Sequence, residues 1–425
     1  MKIVSLLVLA GVLTATPASA DITLGGVDQI DVPLRYIPSL GEFIQAYVNG
    51  HGPFWFEIDL SGPTRLSPAL VKAVGLRPEP AGVMLSSPTG AIEEELKTDD
   101  IDIRISDATI KVSPTVISDR NLNAYTPVEN YGGAIGVELL QHGALTIDVA
   151  HKRLILSPHG ENYEATGGPG LPISLVEEKI GEHYSILAPY IELTFDGKAA
   201  DFFLSSKNSG IEFLLYSKTG KAVLAKTPYR YKILTWSPDN ATEGESGVAA
   251  GATIGDTALG ARHAYRGLSP YAQPPEIGLN ERHLFGDGPT WSKSRFSITD
   301  GFVDFTTLGS PFVRLDTVTQ RIWLQAPDGD AAKGHAPRKI RPSTTIGITP
   351  WPYRDRVVVW SLVQGSPADL AGLRPGDEVL SLDGGDIYQY YKNLDPTDED
   401  KQTKVVFRNR SGEHTVLLRP STPKT

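Results

Sequence analysis

Apolar residues in this chain fall in short runs rich in Val, Ile, Leu and Phe, and glycine and proline stand mostly between the runs. Runs of four to eight such residues bounded by turn formers read as strands, so the pattern predicts a mainly β protein. In "FIQAYVNGHGPFWFEID" two alternating runs flank Asn49-Gly50, and in "YIELTFDGKAADFFLS" two more flank Asp196-Gly197. Asn-Gly and Asp-Gly suit a two-residue hairpin turn, because both central residues need positive φ. The first hairpin is expected to end at Asp59 and the second at Ser205.

The pattern repeats over a longer range. Without a gap, "GGAIGVELLQHGALTIDVAHKRLILSP" from Gly132 lies over "DGFVDFTTLGSPFVRLDTVTQRIWLQAP" from Asp300. Gly133 then falls on Gly301, Asp148 on Asp316, Arg153 on Arg321 and Leu156 on Leu324, a constant offset of 168. Each copy is expected to end in two strands joined at a tight turn. Two motifs in the same order in each half predict duplicated lobes.

The first twenty residues have a different pattern. Lys2, an apolar run from Ile3 to Leu13 and a small-x-small end at Ala18-Ser19-Ala20 form a signal peptide, cut before Asp21. The run is too short to span a bilayer, and none like it recurs, so a periplasmic or secreted protein without a transmembrane segment is expected. The cut removes Lys2 and no acid, leaving 39 basic against 50 acidic residues, a net of −11. That balance argues against nucleic acid as a partner. The chain has no cysteine, which excludes disulfides, thiol catalysis and Cys-ligated zinc. The nine histidines, His51, His142, His151 and His263 among them, show no paired metal spacing and read as surface or turn residues, and neither metal nor cofactor is expected. Glu93, Glu94 and Glu95 read as a solvated face.

"VNGHGPFWFEIDLSGPTRLSPALVKAVGL", followed by "GGAIGVELLQHGALTID", resembles a lobe of the aspartic protease family in its retropepsin-like and pepsin-like forms. The resemblance covers residues 30–158, and more weakly 186–326. It implies an acid-protease-like β-barrel lobe over 21–165 and a second, degenerate one over 166–326. It makes Asp59 the counterpart of the catalytic aspartate, with Ser61 and Gly62 beside it. Ala134-Ile135-Gly136 becomes the segment behind the aspartate loop, and Ser87-Pro88-Thr89-Gly90 the tip of a flap. In that family two carboxylates share one proton, one activating water while the other polarises the scissile carbonyl.

The sequence departs from this pattern at the reacting groups. The first triplet is Asp59-Leu60-Ser61, with Leu60 where a hydroxyl normally helps to lock the loop. In the second lobe Ser205 stands where the partner aspartate belongs, followed by Ser206 and Lys207, and Phe302-Val303-Asp304 replaces the apolar-apolar-Gly segment. The expectation is a peptide-binding body without a working dyad. The alternative is an active aspartic endopeptidase in which Asp304 substitutes for the missing acid, or in which two chains each supply Asp59. A plain hydrogen-bonded Asp59 closing a strand, and a Ser-Lys nucleophile at Ser205-Ser206-Lys207, are further readings of the same residues.

Residues 327–343, rich in Pro, Gly, Ala and charge, read as a linker. Beyond it, "IGITPWPYRDRVVVWSLVQGSPADLAGLRPGDEVLSLDG" resembles a bacterial PDZ domain, here 344–421. Ser366 is placed to cap a helix beginning at Pro367, and Gly372 suits its left-handed close. The resemblance implies a site for peptides or protein C-termini as an added strand, at Ile346, Gly347 and Ile348. A groove helix is expected after Tyr388 and is interrupted by Pro396. A module that only docks on the lobes is the other reading.

Overall fold

The computed structural model describes residues 21–23, 28–37, 40–60, 62–86, 92–117, 122–140, 143–157, 170–180, 184–195, 197–206, 213–215, 222–224, 230–236, 241–267, 301–304, 312–324, 346–392 and 401–421. The expected signal peptide, the linker, Ser61, Ser87, Pro88, Thr89, Gly90, His142, Asp196, Lys207 and Pro396 lie outside them. The protein is mainly β, and its described residues form three sheets that curl into barrel-like lobes.

The two halves have one strand order. In the first, strand His51–Ile58 runs parallel to Tyr131–Ile135, which is antiparallel to Arg65–Leu66, itself parallel to Thr115–Val116. The strands Ile92–Lys97 and Glu79–Ser86 complete it as an antiparallel hairpin. In the second, Lys198–Ser205, Gly301–Asp304, Phe213–Leu215, Thr257–Gly267, Ala241–Ile254 and Arg230–Trp236 follow with the same sequence of parallel and antiparallel pairings. The expected duplication is thus a duplication of topology.

The halves join through the strands that carry the offset. Strand Ala144–Asp148 pairs antiparallel with Phe312–Asp316, and Thr146 sits opposite Arg314, its own counterpart 168 residues on. A strand pairing with its own copy in this register places a pseudo-twofold axis between those two residues. Arg314 Nη1 donates to Thr146 Oγ1 across it at 3.3 Å. The turns that follow also match: Lys152 and Gln320, again 168 apart, both have positive φ.

Local chemistry accounts for the elements around the site. Asn49 and Gly50 have φ of 47° and 82°, the primed turn that the dipeptide predicts. Helix Pro68–Val74 starts at Ser67, whose Oγ accepts from Leu70 N at 3.1 Å, and ends at left-handed Gly75. Phe56, Ile58, Ile44 and Ala46 fill one face of the first hairpin and belong to the core shared by both lobes.

The C-terminal module is a hairpin, Ile348–Tyr353 with Arg356–Val363, followed by strands Glu378–Leu382, Thr403–Asn409 and Gly412–Leu418. Ser366 caps helix Pro367–Leu370, and Gly372 takes φ 92°, as the sequence predicts. The second helix, Ile387–Lys392, starts one residue before Tyr388 instead of after it; Gln389 N donates to Asp386 Oδ1 at 2.8 Å, so Asp386 caps it.

Candidate functional site

Asp59 lies at the end of strand His51–Ile58, where its N–H donates to Ile135 O at 2.9 Å and continues the parallel ladder. The side chain is buried, 1% exposed. Its Oδ2 accepts from Arg65 Nη2 in a close ion pair. Arg65 reaches it because strand Arg65–Leu66 returns beside Tyr131–Ile135, opposite Ala134. Burial works against the charge of Arg65; the charges of Asp59, Tyr131 and Glu57 outweigh that effect and hold its proton more tightly than usual.

The loop between Asp59 and Arg65 is fixed from behind. Gly62 O accepts from Val137 N at 3.0 Å, and Thr64 Oγ1 accepts from Gly136 N at 3.1 Å. Thr64 also donates to Glu138 twice, from its N at 2.9 Å and from its hydroxyl at 2.9 Å. A Cβ on Gly136 would meet Gly62 O at 2.3 Å, so only glycine lets the two segments approach this closely. Burial raises the pKa of Glu138, and the hydrogen bonds from Thr64 oppose that shift.

The second lobe completes the loop. Ser206 Oγ accepts from Leu60 N at 2.9 Å and donates to Ile58 O, bracketing Asp59 on both sides. A hydroxyl from the other lobe thus holds the backbone on either side of Asp59. Ser205 and Asp304 are paired in register, so the position expected for a second acid carries serine and the acid stands one strand over.

Asp304 is 9% exposed and belongs to a buried acidic group with Glu42 and Glu57. Burial, then the charge of Asp304, then that of Glu57 raise the pKa of Glu42 well above the usual carboxylate value, against a hydrogen bond from its own backbone. Glu42 Oε1 has no hydrogen-bond partner among the described residues.

Of the predicted site residues, Asp59 lies at the interlobe contact made by Ser206, Ser205 precedes that serine and is in register with Asp304, and Gly62 is held in the first lobe by Val137. Ile346, Gly347 and Ile348 are in the C-terminal module. The Ile346 side chain is buried in that module's own core, and its carbonyl accepts from Ala368 N at 3.0 Å. Gly347, at φ 89°, leaves no room for a Cβ, which would lie 1.9 Å from Ser366 Oγ. His51 and His151 are exposed, as expected of surface histidines; His151 Nδ1 lies 2.7 Å from Asp148 Oδ2. Arg65, Thr64, Glu138 and Glu42 were not legible as site residues. Arg65 stands six residues after Asp59 in a segment with only a helix-cap signal, and its role depends on how the chain returns through the sheet.

Comparison with known proteins gives the following likenesses. The chain is 33% identical over 79 residues to the Neisseria meningitidis (serogroup A / serotype 4A) protein named "Putative zinc metalloprotease NMA0084", over 18% of this chain and 17% of that protein. A solved structure described as "Crystal structure of edgp" superposes with a TM-score of 0.38 at 9% identity, covering 69% of this chain and 94% of that one. No family model matches the chain. Among the described residues no group of three or more His, Cys, Asp or Glu is placed to hold a metal ion, and no helix is long and apolar enough to cross a membrane.

Proposed function

We propose that this chain is an exported peptide-binding protein: an aspartic-protease-like, two-lobed body without a working carboxyl pair, joined to a PDZ-like module. The observation that carries this reading is the ion pair between Asp59 and Arg65, with Ser206 of the second lobe closing on the Asp59 loop and serine, by sequence, at the position expected for the partner acid. Proton sharing needs two acids at one site, so that a single charge is delocalised over both. A guanidinium on Asp59 instead fixes a full negative charge there, and a serine does not complete the pair. A cleft between two such lobes, without the acid pair, would hold an extended peptide and not cut it. The 79-residue likeness to a protein named as a protease is the length of one module and fits a PDZ-like unit shared between otherwise different chains.

A second reading is favoured by Asp304, buried and in register with Ser205: an aspartic endopeptidase in which Asp304 is the replacement acid. One experiment decides between them. Purified protein lacking residues 1–20 is offered a mixed peptide library from about pH 3 to 7 beside Asp59→Asn and Asp304→Asn, with cleavage and retention both read. Retention without cleavage at any pH supports the binding protein. Cleavage lost in both variants establishes the endopeptidase.

A further inference from the structure

The C-terminal module does not stand apart from the lobes. Its strand Arg356–Val363 pairs antiparallel with the second lobe's Arg230–Trp236, Ile233 opposite Val363 and Thr235 opposite Ser361. Gln364 N extends that ladder to Lys232 O at 2.9 Å. The module's other side meets the first lobe. Trp351, Tyr353, Val358 and Ile387 form one buried apolar cluster with Ile37, Leu40, Phe43, Val128 and Tyr131, with Trp55 packed against it. The rings of Tyr353 and Tyr125 meet edge to face at 5.5 Å.

The surface covered in this way leads to Asp59. Along His51–Ile58, Phe54, Phe56 and Ile58 point into the shared core, so Trp55, Glu57 and then Asp59 follow one another on the opposite face. Trp55 is paired with Tyr131 and Glu57 with Phe43, both members of the cluster under the module. Strand Ile348–Tyr353 also contains Pro350 and Pro352, which have no N–H to donate to an added peptide strand. Its aromatic residues are turned to the lobe instead.

We infer that the C-terminal module is a built-in cap, in which Trp351 and Tyr353 cover the apolar surface formed by Phe43, Tyr131 and Trp55, on the strand that leads to Asp59, and exclude a peptide from it until the module is released. This rests on the proposed peptide cleft. A cap that is open a tenth of the time weakens apparent binding about tenfold, so release is read as affinity.

Two full-length variants test it with the same peptide library as probe. Trp351→Ala/Tyr353→Ala loosens the cap; it is expected to bind peptide about tenfold more tightly than the parent and to exchange the amide hydrogens of Leu122–Ile135 faster. Thr235→Cys/Ser361→Cys uses directly opposed residues in a chain that has no other cysteine, and a disulfide there locks the module to the second lobe. The oxidised form is expected to bind about tenfold more weakly than the same protein after reduction. Equal retention by the oxidised and reduced forms would overturn the cap and leave the peptide cleft standing. Retention by neither would remove the cleft, and the cap with it.

Discussion

Replacing Arg65 with methionine keeps most of the side chain's length and removes the charge that faces Asp59. Removing one partner of a buried ion pair costs about 3–5 kcal/mol, because the other charge is left in a low-dielectric site. Asp59 is 1% exposed, whereas the Arg65 side chain is 26% exposed, so water can follow into part of the vacated space. About 3 kcal/mol is therefore expected for Arg65→Met. Asp59→Asn loses a charge-assisted hydrogen bond but leaves the cation where water reaches it, for about 1–1.5 kcal/mol. If the effects were independent the double variant would lose about 4–4.5 kcal/mol; with the pair gone from both sides the expected loss is about 2, a coupling of roughly 2 kcal/mol. Urea unfolding followed by tryptophan fluorescence measures all three variants. The deficit of Arg65→Met shrinks as pH falls, since protonation removes the stranded charge. A loss under about 1 kcal/mol for Arg65→Met, or single effects that add within about 0.5 kcal/mol, would show that the guanidinium does not hold Asp59 and would reopen its assignment as a proton-sharing acid.

Ser206→Ala strands Leu60 N and Ile58 O in the interlobe contact, and a loss of about 2–4 kcal/mol is expected in the same assay; a neutral result would mean that the lobes are not locked through this hydroxyl. Glu42 has its pKa raised in the folded state by burial and by the charges of Asp304 and Glu57. Its share of stability is thus fully present below the ordinary glutamate pKa and is lost as pH rises through the folded value. Glu42→Gln should raise the melting temperature at neutral pH and flatten its decline from acid to neutral, and a melting temperature lowered at every pH would count against this. Gly136→Ala drives a methyl into Gly62 O, so a loss of about 1–3 kcal/mol with altered peptide retention is expected, whereas a parent-like protein would show that the loop has room to move.

Much of the fold followed from local chemistry. Alternation in "FIQAYVNGHGPFWFEID" placed two strands, and the positive φ at Asn49 and Gly50 followed from the turn they must make. Ser67 and Ser366 capped the helices their positions announced. The offset of 168 anticipated a duplication, and six strands of each lobe follow in the same order of parallel and antiparallel pairings. These signals reach only a few residues, or rest on one half being compared with the other. The tertiary structure alone decided what Asp59 meets. Arg65 arrives by a strand that crosses back through the sheet, Ser206 comes from the other lobe 147 positions away, and Asp304 is brought near Glu42 despite their like charge. It also decided that the C-terminal module lies against both lobes, since Trp351 and Tyr353 read equally well as that module's own core until Phe43 and Tyr131 are seen beneath them. Propensity, turn and cap are written in neighbouring residues, whereas the pairing of charges depends on which distant segments are brought within a few ångströms, and chain order does not encode that distance.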